Sequence, residues 1–411
     1  MVRRTALLYA ASSVTPPEPR TSTPTAAAPL PGDPRPEVSA VIPCLDEVKT
    51  LGAVIEKAFA TFTRLGIRGE VVVADNGSRD GSIELAERLG ARVVRVSARG
   101  YGNALRAGMA AAEGRLLLMG DADDTYDFGE LDRFLAPWRA GATFIMGTRL
   151  PPGTILPGAN PWLNRNLGTP VLTFVLNRLF GTRIRDVNCG LRAIDREKFH
   201  ELGLVSEGME FASEMLIKAA IQDLRIAEVP VTLHPDRRGR PPHLRRWSDG
   251  WRHLEFMLLH APDQLLFLPG VLLLGLGLLL AVPVSAGPAH YFGRIFDFHF
   301  LFLGGAMALI GLQGILGAVL VRDVAGGRVL RPNRLLSATA EWLTLRRGLG
   351  LGLALFAAGR AVDALVLVTW IQEGFGALNE PRRSIIGLLL MTIGAEIGLF
   401  SFLHAALRRH G

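Results

Sequence analysis

Arg115-Leu116-Leu117-Leu118-Met119-Gly120-Asp121-Ala122-Asp123-Asp124 is a short apolar run that ends in three carboxylates within four residues. The run reads as a buried strand, because a few consecutive apolar residues closed by turn residues suit a strand covered on both faces. Like charges that close repel unless a cation or a proton sits among them. A hard divalent ion is commonly shared between one or two carboxylates and substrate phosphates. Asp121 and Asp123 are therefore expected to hold such an ion against a diphosphate at the mouth of a sheet. A helix cap or an acidic turn, which Asp124 and Thr125 could supply, is the plainer alternative.

Working outward, Val38-Ser39-Ala40-Val41-Ile42-Pro43 reads as a strand, and Asp46-Glu47 leads into a helix with Leu51, Val54, Ile55, Ala58 and Phe59 on one face. Glu70 to Ala74 predicts a second strand that ends at Asp75-Asn76-Gly77-Ser78-Arg79-Asp80-Gly81, and Arg92 to Val96 a third. Gly100-Tyr101-Gly102-Asn103 opens a helix that ends at Gly114. Phe144 to Arg149 predicts a strand with its polar residues at the end, followed by a Pro- and Gly-rich loop to Pro161 and an apolar helix from Trp162 to Phe180. A helix after Gly208-Met209-Glu210-Phe211 and a late strand from Ile226 to His234 follow. Strands alternating with helices imply an α/β fold with a mostly parallel sheet, whose ligands bind beyond the carboxyl ends of the strands. Glu47, Asp75 and Asp121 all stand at such ends, so they are expected on one rim.

The 411 residues leave room for more than one domain, and 49% are hydrophobic. Residues 1–36, rich in Pro, Thr, Ser and Ala, lack the apolar surface to order themselves and read as a disordered tail. The net charge of +7 has no zinc-finger or RNA-binding signature beside it, so nucleic acid is not expected as a partner. Arg excess in a membrane protein reflects loop orientation and anionic lipid. Cys44 and Cys189 suggest neither a disulfide framework nor a metal site.

Residues 247–262 read as an amphipathic helix lying on the bilayer surface. Residues 263–411 hold four apolar spans, Leu265–Ser285, Phe298–Val321, Leu349–Ile371 and Ile385–Ala406, each near the ~20 residues that a crossing helix needs. Arg322, Arg328, Arg331, Arg334, Arg346 and Arg347 crowd the connection between the second and third. The positive-inside rule puts that connection, the amino-terminal domain and the Arg408-Arg409 tail in the cytoplasm, in a plasma or inner membrane of bacterial type. Arg360 and Glu396 sit near the middles of their spans. An Arg360–Glu396 contact is expected, with Asp363 as a competing partner, because charges at mid-bilayer usually pair or line a polar cavity.

Val41-Ile42-Pro43-Cys44-Leu45-Asp46-Glu47, Ala74-Asp75-Asn76-Gly77-Ser78-Arg79-Asp80-Gly81, Asp121-Ala122-Asp123 and Gly147-Thr148-Arg149 resemble family 2 glycosyltransferases of the GT-A fold. Asp186 to Arg192, and Glu228-Val229-Pro230-Val231 before the basic run Arg237 to Arg246, narrow the likeness to polyprenyl-phosphate (dolichol-phosphate) mannose and glucose synthases. The resemblance implies a GT-A domain over 37–246 and a hexosyltransferase that moves a sugar from GDP-mannose or UDP-glucose type donors to a polyprenyl phosphate. It implies that Pro43 and Glu47 border the base and that Asp75 hydrogen-bonds it. Asp121 and Asp123 would hold Mg2+ or Mn2+. Arg149 would meet the acceptor phosphate with help from Arg165, and Arg237, Arg238 and Arg240 would close over phosphate. The sequence departs from the family at Thr125, where a Gln is frequent, and at Pro242-His243, where a Ser-Lys pair is usual.

A lipid phosphate, with a second pKa near ~6, is largely ionised at neutral pH and needs no dedicated nucleophile. A single displacement would invert the anomeric centre. Two rival functions stand beside this one: a glycosyltransferase acting on diacylglycerol or a growing polysaccharide, and a transporter or flippase with a nucleotide-sensing domain. Glu210 and Glu214 are open between contact with sugar hydroxyls and a solvated helix face.

Overall fold

The computed structural model describes residues 34–239, 246–291, 293–325, 330, 333–377 and 379–410. Strand β1 (Val38–Cys44) is the spine of the sheet, and its neighbours are β2 (Gly69–Asp75) and the acidic strand β4 (Leu116–Met119). Both pair parallel to it, with Cys44 opposite Asp75 and Val41 opposite Met119. The crossovers are helix α1 (Val48–Leu65), then helix α2 (Ser82–Arg88), strand β3 (Arg92–Arg95) and helix α3 (Tyr101–Ala111). After helix α4 (Leu131–Arg139) and strand β5 (Phe144–Thr148), the short strand β6 (Thr154–Ile155) precedes helix α5 (Thr169–Phe180). Strand β7 (Arg192–Asp195), helix α6 (Arg196–Leu202), helix α7 (Phe211–Ile221), strand β8 (Ile226–Pro230) and strand β9 (Thr232–Leu233) complete the domain.

The seven-stranded sheet runs β3-β2-β1-β4-β7-β5-β8, and β7 alone is antiparallel to its neighbours. The sequence reading lacks this strand, because Arg192-Ala193-Ile194-Asp195 offers two apolar residues between charges. The central strands are buried on both faces, which is why they read as unbroken apolar runs. One face packs on Leu51, Val54 and Ile55 of α1 and Phe134 of α4, the other on Leu105 and Met109 of α3 and Phe211 and Met215 of α7. Gly108 lets α3 lie close on the sheet: a Cβ there would come within 2.8 Å of Val41 and 2.9 Å of Ala74.

Helix α8 (Arg246–Leu259) presents Met257 to the core beside α7, while Trp251 and Leu259 are exposed. It leads through a π-helical turn into α9 (Leu268–Val284). A hairpin of β10 (Ala289–Tyr291) and β11 (Arg294–Phe296) joins α9 to α10 (Phe298–Ala325). The short helix α11 (Arg334–Trp342) then precedes α12 (Leu345–Gln372) and α13 (Pro381–His410). Among the described residues four stretches, Asp263–Val284, Phe298–Val324, Leu345–Gln372 and Pro381–Arg409, are long and apolar enough to cross a membrane, matching the expected spans. Gln264 ties the start of the first to the catalytic domain by donating to the Leu179 carbonyl (3.0 Å).

The expected Arg360–Glu396 contact is not formed. Glu396 instead accepts from Gln313 Nε2 of α10 (2.7 Å), and Arg360 is exposed on α12. The reason is register: Gly352 lies against Gly394 and Gly398, and Gly359 against Gly387 and Met391. Arg360 is therefore roughly 12 Å along the helix pair from the level of Glu396, at ~1.5 Å per residue. Asp363 lies over Gly387 and makes no ion pair with Arg360.

Candidate active site

The carboxyl ends of β1 and β4 bring three acids into one cleft, as the alternation of strands and helices predicts. Asp121 stands two residues past the end of β4, and its carboxylate accepts from the Tyr101 hydroxyl (2.9 Å) at the start of α3. Burial pushes the Asp121 carboxyl up to about 7, and the charge of Asp123 pushes it the same way against the pull of Tyr101 and Arg238. Asp123 is held by its own turn: the Thr125 amide and hydroxyl both donate to its Oδ1 (3.0 and 2.6 Å). Thr125 thus orients an acid at the position where the family frequently has Gln. Asp124 takes φ 60°, a left-handed conformation uncommon outside glycine, and is fixed there by Lys57 (2.6 Å) and Arg237 (3.5 Å).

Arg238 reaches into the same cleft from the far end of the domain. Its guanidinium lies 3.0 Å from Asp123, 3.3 Å from Glu47 and 2.9 Å from Asp236. Burial opposes its charge, but Asp236, Asp123 and Glu47 more than offset this and hold its pKa above the usual value. Glu47, at the amino end of α1, is 6% exposed. Among the described residues, no three His, Cys, Asp or Glu side chains are grouped to hold a metal ion unaided. The donor set nevertheless fits a divalent ion. Asp121 and Asp123 supply two carboxylates, as a magnesium-like ion takes them when substrate phosphates fill other positions. Burial first, and the charge of Asp123 second, make an ionised Asp121 costly, and a cation between the two would relieve it.

On the β2 side, Asp75 is spent partly on its own loop. Its carboxylate accepts from the amides of Gly77 (2.9 Å) and Ser78 (3.2 Å). Pro43 is half-buried one residue before the end of β1, and Asn76 ties Gly100 to the same rim (2.7 Å). Pro43, Glu47, Asp75, Asp121 and Asp123 therefore share one edge of the sheet.

Arg149, just past β5, makes a two-pronged ion pair with Asp186, Nε to Oδ2 at 2.7 Å and Nη2 to Oδ1 at 2.8 Å. Asp186 is fully buried; burial raises its carboxyl, but Arg149 outweighs this and holds it below the usual range. Arg165 is exposed on the π-helical turn before α5 and makes no side-chain hydrogen bond or ion pair among the described residues. Arg240 lies outside the described residues. Glu214 is neither a sugar contact nor solvated: it is buried, paired with Lys218 (2.7 Å) and capped by the amides of Val205 and Ser206. Glu210 Oε1 accepts from Gly208 (3.0 Å), while its Oε2 is buried without a partner among the described residues.

Sequence reasoning misses the supports of this cleft. Tyr101 lay in a short glycine motif too weak to single out. Gly190 sits so close that a Cβ would come within 2.9 Å of Asp121 Oδ2. Tyr126 accepts from the Gly190 amide (2.8 Å), and Arg192, 1% exposed, donates to the carbonyls of Val187, Cys189 and Ala212. The run of polar residues from Asp186 to Arg192 was the available signal for this knot.

Residues 39–203 match the family model of glycosyl transferase family 2, and residues 322–408 that of the family 2 C-terminal transmembrane region. The low-salt glycan biosynthesis hexosyltransferase Agl6 of Haloferax volcanii is 36% identical over 377 residues, which cover 90% of this chain and 89% of that protein. A dolichyl-phosphate hexose transferase of the same organism is 34% identical over 164 residues, 40% of this chain and 69% of the relative. Among solved structures, glucosyl-3-phosphoglycerate synthase of Mycobacterium tuberculosis, in complex with Mn2+ and UDP, covers 55% of this chain and 79% of its own at 23% identity and a TM-score of 0.43. With the acid cleft on a GT-A sheet and four apolar spans behind it, the chain belongs to glycosyltransferase family 2 and is a membrane glycosyltransferase.

Proposed function

We propose that the protein transfers a hexose from a nucleotide sugar to a polyprenyl phosphate, with inversion and with dependence on a divalent ion. The observation that carries this reading is the convergence of Asp121, Asp123 and Glu47 at adjoining strand ends under the guanidinium of Arg238. Asp121 and Asp123 would hold Mg2+ or Mn2+, which when bound would neutralise charge on the departing diphosphate. Pro43, Glu47 and Asp75 border the nucleotide on the same rim. Arg149, Arg165, Arg237, Arg238 and Arg240 supply cations for the two phosphates, because a guanidinium fork matches phosphate oxygens.

The lipid acceptor is supported by the attached spans and by the relative named a dolichyl-phosphate hexose transferase. The domain boundaries proposed are a tail over 1–36, the transferase over 37–246, an interfacial helix over 247–262 and the membrane domain over 263–411. The arginines between α10 and α12 favour a cytoplasmic catalytic domain. Purified full-length protein given UDP- and GDP-hexoses, with undecaprenyl phosphate or diacylglycerol as acceptor, tests the reading. Transfer to the lipid phosphate alone supports it, and transfer to diacylglycerol alone overturns it.

A further inference from the structure

Helix α12 packs along α13 through Gly348, Gly352, Gly359 and Val366, its buried face. Those four are the buried residues among its 28, so most of the helix faces outward. One residue round from the packed face, about 100° at ~3.6 residues per turn, runs a stripe of Leu349, Leu353, Phe356, Arg360, Asp363 and Leu367, which faces outward except where Leu349 touches Gly398 and the half-buried Asp363 lies over Gly387 at the edge of the α13 contact. The spacing alternates four and three, the a/d rhythm of a helix that pairs with another at a left-handed crossing. Leu353 is 69% exposed and Leu367 51% exposed. Apolar residues facing lipid need no explanation, but the two charges do. Arg360 lies about 22 Å from the start of α12 and about 18 Å from its end, deep in the hydrocarbon by the ~1.5 Å rise. It is exposed and joins no ion pair or hydrogen bond among the described residues.

We propose that this stripe is a homodimer interface, in which Arg360 of one protomer pairs with the partner's Asp363 and the reverse pair forms across the two-fold axis. A symmetric interface meets itself, so it needs complementary charges on one surface. Arg360 and Asp363 provide them at neighbouring a and d positions, separated by one turn, with leucines and Phe356 in the layers on the amino-terminal side and Leu367 on the other. Each charge at that depth gains a partner that the described residues of its own chain do not give it.

The test uses full-length protein in native membranes and in lipid nanodiscs. The native Cys44 and Cys189 are buried in the catalytic domain and do not interfere. Leu353→Cys and Leu367→Cys are expected to form oxidant-induced crosslinked dimers, whereas Leu365→Cys, on another exposed face, is not. Arg360→Ala and Asp363→Ala should each weaken dimerisation at least tenfold, and Arg360→Asp combined with Asp363→Arg should restore it. Crosslinking at Leu365→Cys equal to that at the stripe, or wild-type monomers in nanodiscs, overturns the proposal. So does a monomer that loses a bound anionic lipid on Arg360→Ala, since a headgroup would then be the partner. The crosslinking arms keep both charges, so they decide the matter even where a charge variant misfolds.

Discussion

The guanidinium of Arg238 stands 3.0 Å from the carboxylate of Asp123, although the two residues enter the cleft from opposite ends of the catalytic domain. The contact joins the acidic turn after β4 to the strap that follows β9. A cation fixed on Asp123 competes with any metal for that carboxylate, and a cation near a diphosphate helps to hold it. Arg238→Ala should therefore tighten Mn2+ binding in the absence of donor while lowering kcat/KM for the nucleotide sugar about 10- to 100-fold, the worth of one hydrogen bond to a charged group. Titration calorimetry with Mn2+ and initial rates on the same preparation check the opposed signs.

Asp121 makes the metal-free protein sensitive to pH. Its carboxyl is raised to about 7 in the folded protein and lies near ~3.9 in an unfolded chain. Between those values the folded state holds the extra proton, so stability falls as pH rises and the penalty is complete above about 7. Asp121→Asn should raise the melting temperature of metal-free protein at pH 8 and leave it nearly unchanged at pH 4. Mn2+ affinity of the wild type should climb as pH rises through the same range, because the ion displaces that proton.

Arg149 and Asp186 form the least exposed ion pair on the site's edge, with side chains 10% and 0% exposed. Removing one member leaves the other charge buried alone, at about 3–5 kcal/mol. Arg149→Ala and Asp186→Ala should each lower thermal stability by that amount, and the double substitution should cost less than the sum. If Arg149 also meets the acceptor, Arg149→Lys will raise the KM for lipid phosphate more than that for the donor.

Gly190 tests the packing around the acid pair. A methyl group there meets Asp121 Oδ2 at 2.9 Å and the Tyr126 ring at the same distance. Gly190→Ala is expected to fold and insert in the membrane but to lose most transfer activity and Mn2+ affinity together. Unchanged Mn2+ affinity would show that Asp121 tolerates the displacement.

Much of this was legible in the chain because its signals are local. The apolar runs at Val38–Ile42 and Leu116–Met119 announce buried strands, and acids at their ends locate the cleft without any knowledge of packing. The four spans are equally plain, since length and hydropathy decide them. What stayed hidden depends on partners distant in sequence. The strand Arg192–Asp195 has no pattern of its own and is recruited between β4 and β5. Asp75 looked like a group reserved for ligand, yet its turn claims both oxygens through Gly77 and Ser78. Arg360 and Glu396 each sit at mid-span by counting, but the glycine contacts of α12 and α13 set a register that counting does not supply.

The most direct measurement is transfer of labelled hexose to polyprenyl phosphate by full-length protein in detergent, with Mn2+ or Mg2+ titrated into chelator-treated enzyme. Wild type should be inactive without the ion and recover with it, while Asp121→Asn and Asp123→Asn insert normally in the membrane and stay inactive at every concentration. Wild-type turnover by either variant, or full wild-type activity in chelator, would contradict a metal held by this acid pair.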